Sequence, residues 1–272
     1  MNRLGVLGWP VAHSLSPAIQ TAALRAAGLG DQWRYQLLPV PPTLFAGTVR
    51  ALASCGFRGA NVTIPHKAAA LAIATAASER ARAIGAANTL LFRQEGEIWA
   101  ENTDAPAFSC ALRRLNLQQP ASALVLGAGG SARATIRALL DTGAAEVTVW
   151  NRTAARAAAL ADEFGVSTVS DPAQAAGAEL IVNCTSVGLH QDDGVDALPM
   201  SVGQLRHHRA AVDWVYRQAG TPFIAAAAAA GLATVDGLEL LIGQGAIAFE
   251  LFTGVEASIE AMRRAIGLSS PG

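Results

Sequence analysis

With 272 residues, the chain is long enough for one large domain or two smaller ones, and we expect two lobes. Hydrophobic residues make up 51% of it, but glycine, proline or a charged residue interrupts each apolar run before it reaches membrane-spanning length. The formal net charge is −1 with both signs interspersed, which argues against nucleic acid or an acidic membrane as a partner. A soluble protein that binds a small molecule is the expectation.

The amino terminus and the cysteines favour a cytoplasmic location. Residues 1–8 have no long apolar region and no small-residue cleavage site, so we interpret them as a first strand rather than a signal peptide. Cys55, Cys110 and Cys184 are odd in number and far apart, which suits neither a disulfide framework nor a zinc site. We expect buried, reduced thiols and no metal.

Apolar runs and helical stretches alternate in the first hundred residues, which predicts β-α-β units with parallel strands. Residues 88–93 and 97–102 flank Gln94-Glu95-Gly96 as in a hairpin, so we expect a mixed, mainly parallel sheet. The predicted strands are Leu4–Gly8, Tyr35–Val40 and Gly59–Ile64, and the predicted helices are Ser16–Gly28, Thr43–Cys55 and Lys67–Ala77.

A second alternating series after Gln118-Gln119-Pro120 predicts a Rossmann-like, doubly wound α/β domain. A helical tail over Gly237–Ile266 is expected to pack back on the first lobe. The predicted strands of the second series lie near Ala123–Leu126, Glu146–Trp150, Val166–Val169, Leu180–Cys184 and Ala210–Val215.

A glycine-rich turn joins the first strand of this series to a helix. Glycines at such a turn let the backbone approach a pyrophosphate, which sits at the helix N-terminus. The turn alone is weak evidence, but the flanking strand and helix, with a further strand at the expected distance, predict dinucleotide binding. The residues predicted to lie against the cofactor here are Gly127, Ala128, Gly129, Gly130, Ser131, Ala132 and Arg133.

The end of the following strand favours NADP(H) over NAD(H). An NAD enzyme usually places Asp or Glu there for the ribose 2′-hydroxyl, whereas this chain has Asn151, Arg152 and Thr153, with Arg156 one turn later. A guanidinium suits a 2′-phosphate because its planar fork donates two charge-assisted hydrogen bonds. The alternative is that Arg152 and Arg156 are ordinary solvated helix residues.

Three segments of the first lobe place small polar residues where strands should end. Ligands bind beyond the carboxyl ends of parallel strands, so we expect these segments to face one cleft. Ser16 before Pro17, and Asp104 before Ala105-Pro106, have an ordinary alternative as helix N-caps. The segments are His13 to Pro17, Asn61 to Lys67, and Asn102 to Asp104.

Lys67 is the only lysine beside 19 arginines. It lies in the first turn of its predicted helix, where the macrodipole disfavours a cation, so an ordinary surface role explains it poorly. An ammonium can exchange a proton near neutral pH and a guanidinium cannot. Lys67 is therefore the main candidate for a catalytic residue.

These motifs, in this order, resemble the shikimate dehydrogenase family over almost the whole chain. The likeness rests on Gly8 to Pro17, Asn61 to Lys67, Ile84 to Thr89, Asn102 to Asp104, Gly127 to Arg133 and Asn151 to Thr153. Glycines often follow the family's aspartate where this chain has Ala105-Pro106-Ala107, and Trp214 is larger than the family's usual residue.

The resemblance implies specific roles for individual residues. Lys67 and Asp104 would form the catalytic pair, with Asn61 as support. Arg133, Thr185, Trp214 and Gly237 would lie along the cofactor. The residues implied around the substrate are Ser14, Ser16, Thr63, Asn88, Asp104, Tyr216 and Gln244.

The implied activity is the reversible reduction of 3-dehydroshikimate to shikimate by NADPH, in chorismate and aromatic amino acid biosynthesis. We expect a substrate domain over 1–104 plus 238–272 and an NADP-binding domain over 105–237, in a monomer or homodimer. Two alternatives are a quinate/shikimate dehydrogenase, often NAD-dependent, and a non-catalytic sensor that kept the fold.

Overall fold

The computed structural model describes residues 1–189, 192–194 and 197–269. The chain divides into two compact units: unit 1 is Met1–Thr103 with Leu241–Gly272, and unit 2 is Asp104–Leu240. The expected boundaries were at 104/105 and 237/238, so Asp104, expected in the first lobe, begins unit 2.

Unit 1 is built on a mixed six-stranded sheet of order β2-β1-β3-β5-β6-β4. β1 pairs in parallel with both β2 and β3, whereas β5 is antiparallel to β3 and β6. In chain order its elements are β1 (Asn2–Gly8), α1 (Ser16–Ala26), β2 (Trp33–Pro39), a 3-10 turn (Pro42–Leu44), α2 (Phe45–Ser54), β3 (Phe57–Val62), α3 (Lys67–Ile73), β4 (Ala76–Ala77), α4 (Glu79–Ile84), β5 (Thr89–Phe92), a 3-10 turn (Gln94–Gly96), β6 (Ile98–Glu101), most of α10 (Gly237–Thr253) and α11 (Ile259–Ala265).

Unit 2 is a fully parallel six-stranded sheet of order β12-β11-β10-β7-β8-β9. The order reverses between β7 and β10, which is the switch point of a doubly wound fold. In chain order its elements are α5 (Asp104–Arg114), β7 (Ser122–Leu126), α6 (Gly130–Asp141), β8 (Glu146–Trp150), α7 (Ala154–Phe164), β9 (Ser167–Thr168), a 3-10 turn (Pro172–Ala175), β10 (Leu180–Asn183), α8 (Val202–Leu205), β11 (Ala210–Asp213), α9 (Pro222–Ala229) and β12 (Ala233–Val235).

Central strands of unit 2 are buried on both faces because helices cover both sides of a parallel sheet. Leu124, Val125 and Leu126 of β7, like Ile181 and Val182 of β10, have no exposed surface. These near-continuous apolar runs leave the strand ends as the places where polar side chains can sit.

Several predicted elements need correction. The helix predicted over Lys67–Ala77 ends at Ile73, because Ala76–Ala77 pairs with β6 as β4. Helix α4, capped by Ser78, and strand β12 were not predicted. The predicted tail helix is two helices, interrupted at Gly254, whose φ is +71°. Within unit 1, α11 packs against α1.

The structure excludes the alternative that Ser16 is an N-cap, and it corrects the prediction that the cysteines are buried. Ser16 is the first residue of α1 rather than its N-cap; Leu15 is the N-cap, and the Oγ of Ser14 accepts the Ser16 N–H at 3.3 Å. The cysteines are free thiols, as expected, but Cys55 and Cys110 are exposed and Cys184 is half-buried. Cys55 follows the end of α2 and Cys110 lies on a solvent-facing position of α5, so neither reaches a core.

Among the described residues, no helix has the length and apolar character needed to cross a membrane. Within the same residues, no cluster of three or more His, Cys, Asp or Glu side chains could hold a metal ion.

Gly59 of β3 allows close packing between the sheet of unit 1 and α10. A Cβ at this position would lie 2.5 Å from Cε1 of Phe252 and 2.6 Å from the carbonyl oxygen of Leu90. Gly59→Ala should therefore lower the free energy of unfolding by about 1–3 kcal/mol, as overpacking does in a close-packed core. Urea denaturation measures this change.

Gly47→Ala is the matched control, since Gly47 is exposed in α2 and a Cβ there would meet nothing within 4 Å. It should raise stability by up to about 1 kcal/mol through helix propensity. Equal stabilities for the two variants would contradict the packing assigned to Gly59.

Candidate active site

The polar segments of unit 1 converge because of strand direction. β1 and β3 are parallel, and two successive antiparallel pairings give β6 the direction of β3. The carboxyl ends of β1, β3 and β6, and the start of β5, therefore share one edge of the sheet. Three segments follow or precede strands at this edge: the loop with Ser14 and the start of α1 at Ser16, the loop from Thr63 to the start of α3 at Lys67, and the pair Asn88 and Thr103.

Asn88 is the centre of a buried hydrogen-bond network at this edge. Its Nδ2 donates to Oγ1 of Thr103 at 2.9 Å and to Oε1 of Gln244 at 3.3 Å. Its Oδ1 accepts the Thr103 N–H at 2.7 Å and the Thr89 hydroxyl at 3.2 Å. Two of the predicted substrate residues, Asn88 and Gln244, are thus in direct contact, and the amide of Asn88 is held in one orientation.

Asn61 supports this network from β3. Its Nδ2 donates to Oγ1 of Thr89 at 3.1 Å and to the carbonyl of Asn88 at 3.4 Å, while its Oδ1 accepts the Tyr35 hydroxyl at 2.8 Å. Asn61 is 5% exposed, so unpaired amide groups there would be costly. Asn61 therefore joins β2, β3 and the start of β5 through one side chain.

Lys67 is the first residue of α3 and only 9% of its surface is exposed. Its carbonyl accepts the Ala87 N–H at 2.9 Å, which ties the start of α3 to the segment that carries Asn88.

His66, which precedes Lys67, is stacked on Phe45, with ring centroids 4.3 Å apart, and its Nε2 lies 2.8 Å from the Val40 carbonyl. Burial lowers the pKa of His66, so a neutral imidazole anchors this helix start.

Thr63 and Ser16 are held at neighbouring strand ends. The Thr63 N–H donates to the Leu7 carbonyl at 2.8 Å, and a Cβ at Gly8 would lie 2.5 Å from Cγ2 of Thr63. Glycine at position 8 therefore makes room for the threonine side chain. Ser14 is half-buried and Ser16 is buried.

Two predicted substrate or catalytic residues belong to unit 2. Asp104 is 2% exposed at the first position of α5, where the helix dipole favours a carboxylate, and it follows Thr103 directly in the chain. Tyr216 is half-buried in the loop after β11.

The glycine-rich turn of unit 2 has the geometry expected for a dinucleotide site. Gly127 has φ +110°, and a Cβ there would lie 2.8 Å from the Cys184 carbonyl oxygen, so glycine is required. Helix α6 begins at Gly130 after an extended Gly129, and no side chain caps this helix start. Ala128 and Ser131 are half-buried, and Ala132 packs into the core. The helix start thus suits a pyrophosphate.

Arg133, predicted to lie along the cofactor, is already engaged within unit 2. Its Nη2 pairs with a carboxylate oxygen of Glu163, and its guanidinium lies 5.4 Å from the centroid of the Phe164 ring. To contact the cofactor as predicted, the Arg133 guanidinium must reach it while keeping Glu163 and Phe164 as partners, or exchange them for it.

The end of β8 presents cations without an acid. Arg152 and Arg156 are exposed, and the next acidic residue along the chain is Asp162. Nδ2 of Asn151 donates to the Thr153 carbonyl at 3.0 Å, which holds the turn between β8 and α7. These residues fit the 2′-phosphate of NADP(H) better than a free 2′-hydroxyl.

Thr185, Trp214 and Gly237 follow the other strands of the same sheet. The Thr185 hydroxyl donates to Oδ1 of Asn183 at 2.7 Å. Nε1 of Trp214 donates to Oγ1 of Thr135 at 2.9 Å, and its ring stacks on Phe108. A Cβ at Gly237 would collide with the Val215 carbonyl, so only glycine fits. The loops after β7, β10 and β11 share one edge because these strands are parallel.

Sequence reasoning missed a buried polar pair at this edge. Nδ2 of Asn183, the last residue of β10, donates to Oδ1 of Asp213, the last residue of β11, at 2.8 Å. Burial raises the pKa of Asp213 from 3.8 to about 7, although hydrogen bonds from Thr221, Val215 and Asn183 lower it. In the first lobe, polar residues at the ends of apolar strands were selected as candidates. The same signal in the second lobe, where Asn183 and Asp213 end apolar strands, would have identified this pair.

Three family profiles match the chain. Residues 6–90 match the description "Shikimate dehydrogenase substrate binding domain", residues 109–187 match "Shikimate / quinate 5-dehydrogenase", and residues 237–266 match "Shikimate 5'-dehydrogenase C-terminal domain". A relative from Paracoccus denitrificans, named shikimate dehydrogenase (NADP(+)), is 42% identical over 96% of this chain and 94% of its own length. One of the same name from Thermus thermophilus is 44% identical over 98% of this chain and 100% of its own.

Solved structures with the same architecture agree with these matches. Shikimate 5-dehydrogenase from Thermus thermophilus, in complex with NADP(H) and shikimate, is 44% identical, covers 98% of each chain and has a TM-score of 0.87. Shikimate dehydrogenase from Aquifex aeolicus is 34% identical over 98% of each chain, with a TM-score of 0.90. The predicted α/β fold and the predicted resemblance are confirmed.

The raised pKa of Asp213 gives stability a specific pH dependence. The folded protein binds this proton more tightly than the unfolded chain, so the stabilising contribution is complete below about pH 4 and is lost as the pH rises to about 7. Asp213→Asn removes this titration. The free energy of unfolding of the variant, relative to the parent, should therefore be higher at pH 8 than at pH 5 in urea denaturation. A relative stability that does not change with pH would contradict the assignment.

Proposed function

The protein belongs to the shikimate dehydrogenase family and is an NADP-dependent oxidoreductase, and we propose that its own residues catalyse the reversible reduction of 3-dehydroshikimate to shikimate as follows. The observation that carries the assignment of roles is the placement of Lys67. The chain's only lysine is buried at the start of α3, joined through its carbonyl to the segment that carries Asn88.

The substrate is held by hydrogen-bonding groups of unit 1. Asn88 and Gln244 form one part of this set, and the hydroxyls of Ser14, Ser16 and Thr63 form the other, at neighbouring strand ends of the same edge. The three hydroxyls donate hydrogen bonds to the carboxylate of the substrate, which therefore needs no arginine. The fixed amide of Asn88 forms hydrogen bonds with the hydroxyls of the substrate ring. Tyr216 is assigned to the substrate as well, from the loop after β11.

NADP(H) is assigned to the loops at the carboxyl edge of the unit 2 sheet. The start of α6 at Gly130 receives the pyrophosphate, and Arg152 and Arg156 receive the 2′-phosphate. The residues supporting these contacts are Asn151, Thr153, Arg133, Thr185, Trp214 and Gly237. When bound, NADPH supplies the hydride.

Lys67 moves the proton. As the substrate carbonyl carbon is reduced, negative charge develops on its oxygen, and the ammonium of Lys67 stabilises that charge and donates a proton to it. In the reverse direction the neutral amine accepts the proton of the hydroxyl. Asp104 accepts a hydrogen bond from a substrate hydroxyl and so fixes the ring for this transfer.

Replacing Lys67 tests the catalytic assignment. Lys67→Ala should lower kcat by about 10²- to 10⁴-fold with little change in the KM for 3-dehydroshikimate, because the lost interaction develops in the transition state. Lys67→Arg keeps the charge but cannot exchange the proton, so it should be similarly impaired. Arg82→Ala, which removes an exposed cation of α4, is the control and should match the parent in NADPH oxidation. Turnover of Lys67→Ala within a few-fold of the parent would exclude the role.

Replacing both arginines after β8 tests the cofactor assignment. Arg152→Ala/Arg156→Ala should raise the KM for NADPH by about tenfold or more and leave the KM for NADH nearly unchanged, because only NADPH carries the 2′-phosphate. Arg50→Ala, an exposed arginine of α2, is the matched control for loss of positive charge. A parallel rise in both KM values would show that these arginines do not select the phosphate.

A further inference from the structure

Asn183 and Asp213 form a connection between two loops of unit 2. Besides its bond to Asp213, Nδ2 of Asn183 donates to the Val187 carbonyl at 3.2 Å, and its Oδ1 accepts both the N–H and the hydroxyl of Thr185, at 3.1 and 2.7 Å. The Asn183 side chain therefore ties Thr185 and Val187 of the loop after β10 to the end of that strand.

Asp213 does the same for the loop after β11. Its Oδ1 accepts the Val215 N–H at 2.9 Å, and its Oδ2 accepts the Thr221 hydroxyl at 2.5 Å. Thr221 is also the N-cap of α9, with its Oγ1 accepting the Ile224 N–H. The backbone reinforces the connection, since the Trp214 N–H donates to the Asn183 carbonyl at 2.9 Å.

Apart from the bond between the two side chains, every hydrogen bond of the pair ends on a loop residue rather than on the strand ladder. The strands are already held by their backbone pairing, from Leu180 opposite Ala210 to Asn183 opposite Asp213. Both side chains are fully buried, and burying two polar groups costs more free energy than burying an apolar pair would. The pair must therefore provide something that apolar side chains would not. What they add is one fixed arrangement of the loops that carry Thr185, Trp214 and Tyr216.

We propose that Asn183 and Asp213 are positioning residues for NADP(H): their pairing holds the loops after β10 and β11 in the cofactor-binding arrangement before the cofactor arrives. This inference rests on the proposed assignment of Thr185 and Trp214 to the cofactor. Loops that are ordered in advance lose less conformational freedom on binding, which strengthens affinity without any direct contact from the pair.

The geometry identifies a substitution that keeps the connection and one that breaks it. In Asp213→Asn, Oδ1 still accepts from Asn183 and Val215, and the new Nδ2 donates to the Thr221 hydroxyl oxygen. Burial raises the pKa of Asp213, so this position favours an uncharged side chain such as the amide of asparagine. Asp213→Ala leaves the Asn183 amide and the Val215 N–H without their acceptor.

Calorimetric titration with NADP⁺ in the absence of substrate is the test. Asp213→Ala should weaken binding by about tenfold or more, and Asp213→Asn should stay within about threefold of the parent. Leu205→Ala is the control for stability alone, because Leu205 is buried in the core of unit 2 and its apolar side chain makes no hydrogen bond to the pair. It should lower the melting temperature but keep the parent's affinity.

Three outcomes would overturn the proposal: parental affinity in Asp213→Ala, an equal loss in Leu205→Ala, or an equal loss in Asp213→Asn. If Asp213→Ala does not fold, Asn183→Ala breaks the same connection while Asp213 keeps its bonds to Val215 and Thr221, and the same criteria apply. Because NADP⁺ binding is measured without turnover, a parent protein that binds NADP⁺ but does not reduce 3-dehydroshikimate would contradict the proposed function and leave this test intact.

Discussion

Parallel pairing sends the carboxyl ends of β1 and β3 in unit 1, and of β7, β10 and β11 in unit 2, to a single edge of each sheet. The interior positions of the central strands of unit 2 are buried on both faces and apolar, so polar side chains there concentrate where the strands end. The candidate substrate groups and the candidate cofactor groups both follow from this constraint. Thr63, Gly127, Thr185 and Trp214 each lie within two residues of such an end.

Buried amide groups then give each edge a defined shape. Asn88 in unit 1 and Asn183 in unit 2 each use their side-chain oxygen and nitrogen on partners from different segments. Buried networks of this kind stabilise one arrangement because any other would leave donors or acceptors unpaired. In unit 1 the arrangement orients Asn88 beside Gln244, and in unit 2 it joins two loops.

Much of the fold could be predicted from periodicity and turn residues. The strands at Glu146–Trp150 and near Leu180 were clear as apolar runs between helical stretches, and the glycine turn at Gly127 marked the second series. β4 and β12 were missed because strands of two or three residues have no period to detect, and their formation depends on a neighbouring strand. The break at Gly254 was hidden inside an apolar helical tail.

The candidate site could be predicted only in part. Lys67 was identified by composition and position, and Arg152 by the missing acid after β8. Partners distant in sequence were not accessible: nothing near Asn61 indicates that it meets the Tyr35 hydroxyl, and Asn183 and Asp213 are thirty residues apart. The sequence left open the alternative that Ser16 is an N-cap, because the chain alone does not show that Oγ of Ser14 accepts the Ser16 N–H.

Reduction of 3-dehydroshikimate with NADPH is the activity proposed for this chain. NADPH oxidation, followed by absorbance with purified protein and 3-dehydroshikimate, tests it most directly, with NADH and the reverse reaction on shikimate and quinate run in parallel. We expect turnover with 3-dehydroshikimate and with shikimate, and a clear preference for NADP(H). Absence of turnover from a folded protein that binds NADP⁺, or a preference for NAD(H) with quinate, would contradict it.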